Sequence, residues 1–358
     1  MNEFLVPEIK LTPELIYKRS FVFFGETNSG KSFIIKHCID VIHNHIQQVF
    51  VVAPTDPENK SYTGDGYIPS PFVRTSFELS FLKTLWERQE SMVSTYTNAN
   101  DKTIIKELFN MIPNKNIYMD YISKIERAKC EKSQAISDTI YNKKERTKKI
   151  ENMEKIASKM TDSCYKKAVK CNSKNIIRAY GKRLPKQHEI ALKYIDFDPS
   201  LLLILDDCGS ELNKACKEKI FTEYFYQGRH KLITLFIACQ SQDDLKPNCR
   251  RNAHYIIFTS PIAASNFFNS AGANGISSTS KKKATKAIED VFNNWDGDID
   301  DNHWKLLYKK EGCMFYRIWA KPPTNGGPGN KTFREFGKYL EKHGGARAPK
   351  SKFSQYFD

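Results

Sequence analysis

The sequence predicts an α/β protein: a mostly parallel sheet flanked by helices, carrying a basic helical insertion. Three observations lead there. Short apolar runs recur without alternation, a Gly-rich junction joins the first of them to a helical pattern, and most of the net positive charge is confined to one stretch. Strands covered on both faces read as continuous hydrophobic runs, and such strands belong to parallel sheets clothed by helices. With 358 residues, 40% of them hydrophobic, the chain has enough apolar side chain for a core, which excludes a wholly disordered protein.

The expected strands lie at 21–24, 49–53, 201–205, 232–238, 255–259 and 314–319. After the first come Ile34, Ile35, Cys38, Ile39 and Ile42, spaced to place one apolar stripe of a helix on the sheet. Between that strand and that helix lies Gly25-Glu26-Thr27-Asn28-Ser29-Gly30-Lys31-Ser32, which fits G-x-x-x-x-G-K-[ST] without a mismatch. Glycines at such positions let the backbone curl its N–H groups toward phosphate oxygens, and the helix that follows presents its own open N–H groups to the same anion. All eight residues are therefore candidates for nucleotide binding. Lys31 is expected to reach the β- and γ-phosphates, and Ser32 to place its hydroxyl on Mg²⁺; the cofactors implied are ATP and Mg²⁺.

The run at 201–205 delivers Asp206 and Asp207 to the carboxyl edge of the sheet, where ligands gather in open α/β folds. Neighbouring strand residues point to opposite sides, so the two acids have room for different tasks: Asp206 to hold the metal, Asp207 to orient or deprotonate an attacking water. A solvated Asp-Asp turn is the plainer alternative. At the end of the run at 232–238, Gln240 is either a water-positioning or γ-phosphate-sensing amide or one bonded to nearby backbone. Arg229, just before that run, is either a donor to the γ-phosphate of its own or a neighbouring site or a surface residue.

The net charge is +15, and residues 121–190 hold 19 Lys or Arg against 8 Asp or Glu, a surplus of 11. Ile122, Ile125, Ile136, Ile140, Ile150, Met153, Ile156 and Met160 fall there at mostly three- and four-residue steps, which reads as amphipathic helices. Two uses are open: a solvated face, or contact with double-stranded DNA in which Lys143, Lys144, Lys148 and Lys149 neutralise phosphates without reading sequence. The expected organisation is 1–99 and 196–270 for the core, 100–195 for the insertion, and 271–358 for an extension with a strand and a basic tail. The acidic tract 296–301 is either a metal-binding loop or, the plainer reading for an acidic loop with no geometry attached, a solvated turn. Nine cysteines, odd in number and never spaced as C-x-x-C, read as reduced thiols. The absence of a secretory pattern or of a run of about 18 apolar residues predicts a protein neither secreted nor inserted in a membrane.

Taken in order, GETNSGKS, LLLILDD, GRHKLITLFIACQ and LKPNCRRNAHYIIF resemble the poxvirus-type genome-packaging ATPases of large DNA viruses, members of the FtsK–HerA class of DNA-pumping motors. The resemblance covers residues 18–45 and 200–260. It implies a P-loop NTPase core of RecA-like fold, Mg-ATP hydrolysis, a homo-oligomeric ring and translocation of double-stranded viral DNA into a capsid. A capsid or portal component is then a further partner, and the host cytoplasm, a viral assembly site or the virion is the location. By the same resemblance Lys31 and Ser32 bind nucleotide and metal, Asp206 is the metal-side acid, Asp207 stands where many relatives have Glu, and Gln240 is the sensor. Arg229 is the arginine finger, with Arg250 in reserve. Two other classes compete: a nucleotide-dependent DNA-binding scaffold or switch that pumps nothing, and a small-molecule kinase.

Overall fold

The computed structural model describes residues 5–270, 272, 274–292, 303–324 and 326–343. The tract 296–301 and the basic tail lie outside the described residues. The chain divides into two compact units, one of residues 1–90 and 199–358 and one of residues 91–198; the division falls within the helix Leu79–Ala99.

The first unit is built on one sheet. Its strands are β1 (Ser20–Phe24), β2 (Gln48–Val52), β3 (Val73–Arg74), β4 (Leu201–Leu205), β5 (Ile233–Cys239), β6 (Tyr255–Phe258), β7 (Trp304–Lys309) and β8 (Met314–Trp319). They lie in the order β3-β2-β4-β5-β1-β6-β7-β8. All pairings from β3 to β6 are parallel, and β7 and β8 close the sheet as an antiparallel pair. The pleat explains the lack of alternation: Val22, Phe24, Leu201, Leu203 and Leu205 enter the core on one face, while Phe21, Phe23, Leu202 and Ile204 enter the core on the other. The stripe of the helix Lys31–Ile42 is buried at all five expected positions.

The C-terminal stretch differs from the expected extension with one strand. It adds two strands to the sheet, and Phe333 and Phe336 of the helix Lys331–His343 join the core, Phe333 stacking on Phe72 at 4.0 Å. Strand β7 was hidden in the sequence because Lys305 and Lys309 interrupt its apolar run. Strand β3, two residues long, has no pattern to read.

The second unit is helical. Helices Lys102–Asn110, Asn116–Thr139, Lys143–Tyr180 and Lys186–Tyr194 supply a small core of their own that includes Leu108, Ala168, Val169, Ile176 and Ala191. Of the expected apolar stripe only Ile122 and Ile125 are buried, and Ile156 and Met160 are exposed. Among the described residues no helix is long and apolar enough to cross a membrane, and all nine cysteines are free.

Candidate nucleotide site

Residues 25–30 connect the end of β1 to the helix that starts at Lys31, and two glycines are needed for two different reasons. A Cβ on Gly25 would collide with the hydroxyl of Thr259 and the side chain of Ser29. Gly30, the residue before the helix, sits at φ +87°, a left-handed conformation that side chains disfavour. No side chain caps this helix, so its first N–H groups face the loop. The loop is braced from β6: Ser29 Oγ and Thr259 Oγ1 share a hydrogen bond of 2.6 Å, and Thr259 donates to the Phe24 carbonyl at 3.2 Å. Lys31 is buried, its ammonium donating to the carbonyls of Gly25 at 2.8 Å and Glu26 at 2.9 Å. Glu26, Thr27 and Asn28 are exposed at the loop's tip.

One strand, β5, stands between β1 and β4, so the carboxyl ends of three strands converge. Thr27, Asn28, Gly30, Lys31, Ser32, Asp206 and Asp207 line one cavity of about 330 Å³, together with Phe33, Asn59 and Ser61. The two acids occupy different environments, as neighbours on opposite sides of a strand should. Asp206 is 5% exposed and accepts a 2.7 Å hydrogen bond from the hydroxyl of the fully buried Tyr62. Burial holds its carboxyl above the usual carboxylate range, with the Asp207 charge adding to the rise and the Tyr62 hydroxyl and Lys31 opposing it. Asp207 is half-buried, at φ 52°, and accepts from the Thr55 hydroxyl at 2.8 Å and the Gln240 amide at 3.3 Å. Gln240 itself is exposed, its N–H donating to Asp244 at 2.9 Å.

Both arginines depart from the simplest expectation. Arg229 precedes β5, whereas the cavity lies where β5 ends, and a seven-residue strand spans roughly 20 Å. Its exposed guanidinium, bonded to the His230 ring at 3.2 Å, is out of reach of its own chain's phosphate loop. Arg250, the reserve finger, is 4% exposed and donates to the Gln242 carbonyl at 2.7 Å and side chain at 3.2 Å, so in this chain it props the loop after β5. The four lysines Lys143, Lys144, Lys148 and Lys149 are exposed on the first turns of their helix, with Lys149 paired to Glu145 at 2.8 Å.

Four residues of the site had no motif to announce them: Thr55, Tyr62, Thr259 and Lys305. The last is 1% exposed, and its ammonium lies 3.4 Å from the Ser29 carbonyl and beside Gly30, with burial pulling it down to about 8. A lysine interrupting an apolar strand was its only sequence signal. A divalent cation fits the donor set: Asp206 and Ser32, the latter in the first turn of the helix, bring a carboxyl and a hydroxyl oxygen to the same cavity. No cluster of three or more His, Cys, Asp or Glu suited to a metal occurs among the described residues.

The chain is 32% identical over 348 residues to the uncharacterized protein B354L of African swine fever virus (isolate Pig/Kenya/KEN-50/1950), covering 89% of this chain and 88% of that one. B354L of the Badajoz 1971 Vero-adapted strain is 31% identical over 344 residues, covering 89% and 87%. A shorter match, 34% over 83 residues, covers 23% of this chain and 29% of protein L437 of Acanthamoeba polyphaga mimivirus. Among solved structures, the genome packaging NTPase B204 from Sulfolobus turreted icosahedral virus 2, in complex with AMPPCP, aligns at TM-score 0.39 and 14% identity over 85% of this chain and 98% of that chain. The pCW3 conjugation coupling protein TcpA aligns at TM-score 0.36 and 13% identity over 88% and 64%. No family model matches.

Proposed function

The chain belongs to the family of African swine fever virus protein B354L, and for this member we propose an Mg-ATP-hydrolysing motor that moves double-stranded viral DNA into a capsid. The observation that carries the reading is the convergence, in one cavity, of a complete phosphate loop and of two unlike acids delivered by β4. The order of the four motifs along the chain supports the packaging-motor class.

In this reading the triphosphate enters the cavity and Lys31 exchanges the Gly25 and Glu26 carbonyls for β- and γ-phosphate oxygens. Ser32 and Asp206 would hold Mg²⁺, which when bound neutralises charge on the β- and γ-oxygens. Asp207, fixed by Thr55, accepts the proton of a water held between its carboxylate and the Gln240 amide. Arg229 completes the site of an adjacent subunit in a homo-oligomeric ring, since it does not reach its own. The basic helices of the second unit hold duplex phosphates, which gives grip without sequence preference.

Steady-state ATP hydrolysis tests the site. Lys31→Ala should nearly abolish turnover while the far-ultraviolet circular dichroism is kept. Asp207→Asn should bind ATP and stall cleavage, because an amide accepts a hydrogen bond but does not take up the proton. Near-normal hydrolysis by either variant would remove the role given to that residue.

A further inference from the structure

The cavity at the phosphate loop is at the small end of the range for ligand pockets, so a nucleoside must lie beyond it. Phe33 marks the way out. It follows Ser32 directly, lines the same cavity and sits in the first turn of the helix. The sheet brings two more rings to that place. Strand β7 runs antiparallel to β6 and so begins at the edge where the phosphate loop lies, and β8, antiparallel to β7, ends there. Trp304 pairs with Trp319, and the Ala320 N–H donates to the His303 carbonyl at 2.9 Å, closing the open end of the hairpin.

The rings form a continuous series. Phe33 and His303 have centroids 5.0 Å apart, His303 and Trp319 5.2 Å, and Trp319 and Trp304 4.9 Å. All four are only partly buried, unlike the rings of Phe21, Phe23 and Phe24 in the core. An aromatic series that starts at the wall of a phosphate cavity and keeps π surface open to solvent suits a flat heterocycle.

We propose that Phe33, His303 and Trp319, whose planes are tilted by 59° and 36° from one ring to the next, seat the base of the bound nucleoside triphosphate, one ring stacking on it and the others meeting its edge, favouring purines over pyrimidines. The inference rests on the phosphate-loop reading and adds the ligand's other end to it. Stacking strength grows with ring area, and a base on an aromatic side chain strengthens binding by roughly tenfold or more.

The test is calorimetric titration of the full chain with ATP, CTP and inorganic tripolyphosphate, each with Mg²⁺. The wild type should bind ATP about tenfold or more tighter than tripolyphosphate, with CTP between them. Trp319→Ala should bring ATP close to tripolyphosphate while leaving the affinity for tripolyphosphate unchanged, which also shows that this variant is folded, and Phe33→Ala should lower the ratio of ATP to tripolyphosphate affinity. Variants that keep the wild-type ratio of ATP to tripolyphosphate affinity would overturn the proposal. Should a variant lose both ligands through misfolding, wild-type tryptophan fluorescence decides: quenching by ATP beyond that by tripolyphosphate supports the stack, and equal response to both overturns it. A wild type that binds no tripolyphosphate removes the phosphate-loop reading, and the base seat with it.

Discussion

At Asp206 the fold places a carboxyl where burial opposes its charge, and then supplies donors that favour it, the Tyr62 hydroxyl foremost and the Asp207 backbone N–H beside it. A buried acid held in that balance is suited to a cation, and the balance makes Tyr62 testable. Tyr62→Phe should raise the Mg²⁺ concentration needed for half-maximal ATP turnover about 10- to 100-fold, the range found when a partner of a metal ligand is removed; an unchanged Mg²⁺ requirement would separate Tyr62 from the metal site. His254 gives a second test at this scale, away from the nucleotide. Its Nδ1 accepts the Ser20 N–H at 3.2 Å, and burial, aided by Arg19 and Arg229, lowers its pKa from the ordinary 6.5 to about 4. The unfolded chain therefore binds more protons than the folded one between those values, so stability should fall as pH drops from about 6.5 toward 4. Urea unfolding midpoints at pH 7 and pH 5 should differ more for the wild type than for His254→Asn. Equal differences would mean that the imidazole is not held neutral.

The elements that were legible are those whose residues had to satisfy a strong local rule. Strands β1, β2, β4, β5 and β6 were readable because both their faces are covered and nearly every residue is pressed toward apolar character; β8, a partly buried edge strand, was readable through its run of large apolar and aromatic side chains. The phosphate loop was readable because glycine is required at 25 and 30 by a collision and by a positive φ. Thr55, Tyr62 and Thr259 reach the site through tertiary contacts with Asp207, Asp206 and Ser29, from segments whose own sequence follows no rule, and so stayed hidden. The loop's brace makes its own prediction: Gly25→Ala should distort the loop and lower ATP affinity, because Thr259 and Ser29 fill the space a methyl would need. Affinity equal to wild type would show that the brace yields. On the helix Lys143–Tyr180, neutralising Lys143, Lys144, Lys148 and Lys149 together should weaken duplex binding alike for all sequences and flatten its salt dependence by about 0.9 unit per lost phosphate contact. An unchanged slope would return these lysines to a solvated face.

At the scale of the whole molecule, the phosphate loop and Arg229 lie at opposite strand ends of one sheet, an arrangement that the proposed ring of subunits would turn into a shared site. Lys31→Ala and Arg229→Ala should each be inactive alone, and verified mixed rings should recover part of the hydrolysis, at interfaces where an intact loop meets an intact arginine. Arginine fingers contribute on the order of 10³-fold or more to turnover, so that recovery would stand well above background. Mixed rings that stay inactive would contradict the shared site. The most direct test of the motor itself is the ATP turnover of the wild-type chain with and without linear double-stranded DNA. Duplexes of any sequence should stimulate turnover, less so as salt rises, with phosphate released to water. Turnover indifferent to DNA, or phosphate passed to a small-molecule acceptor, would contradict the motor.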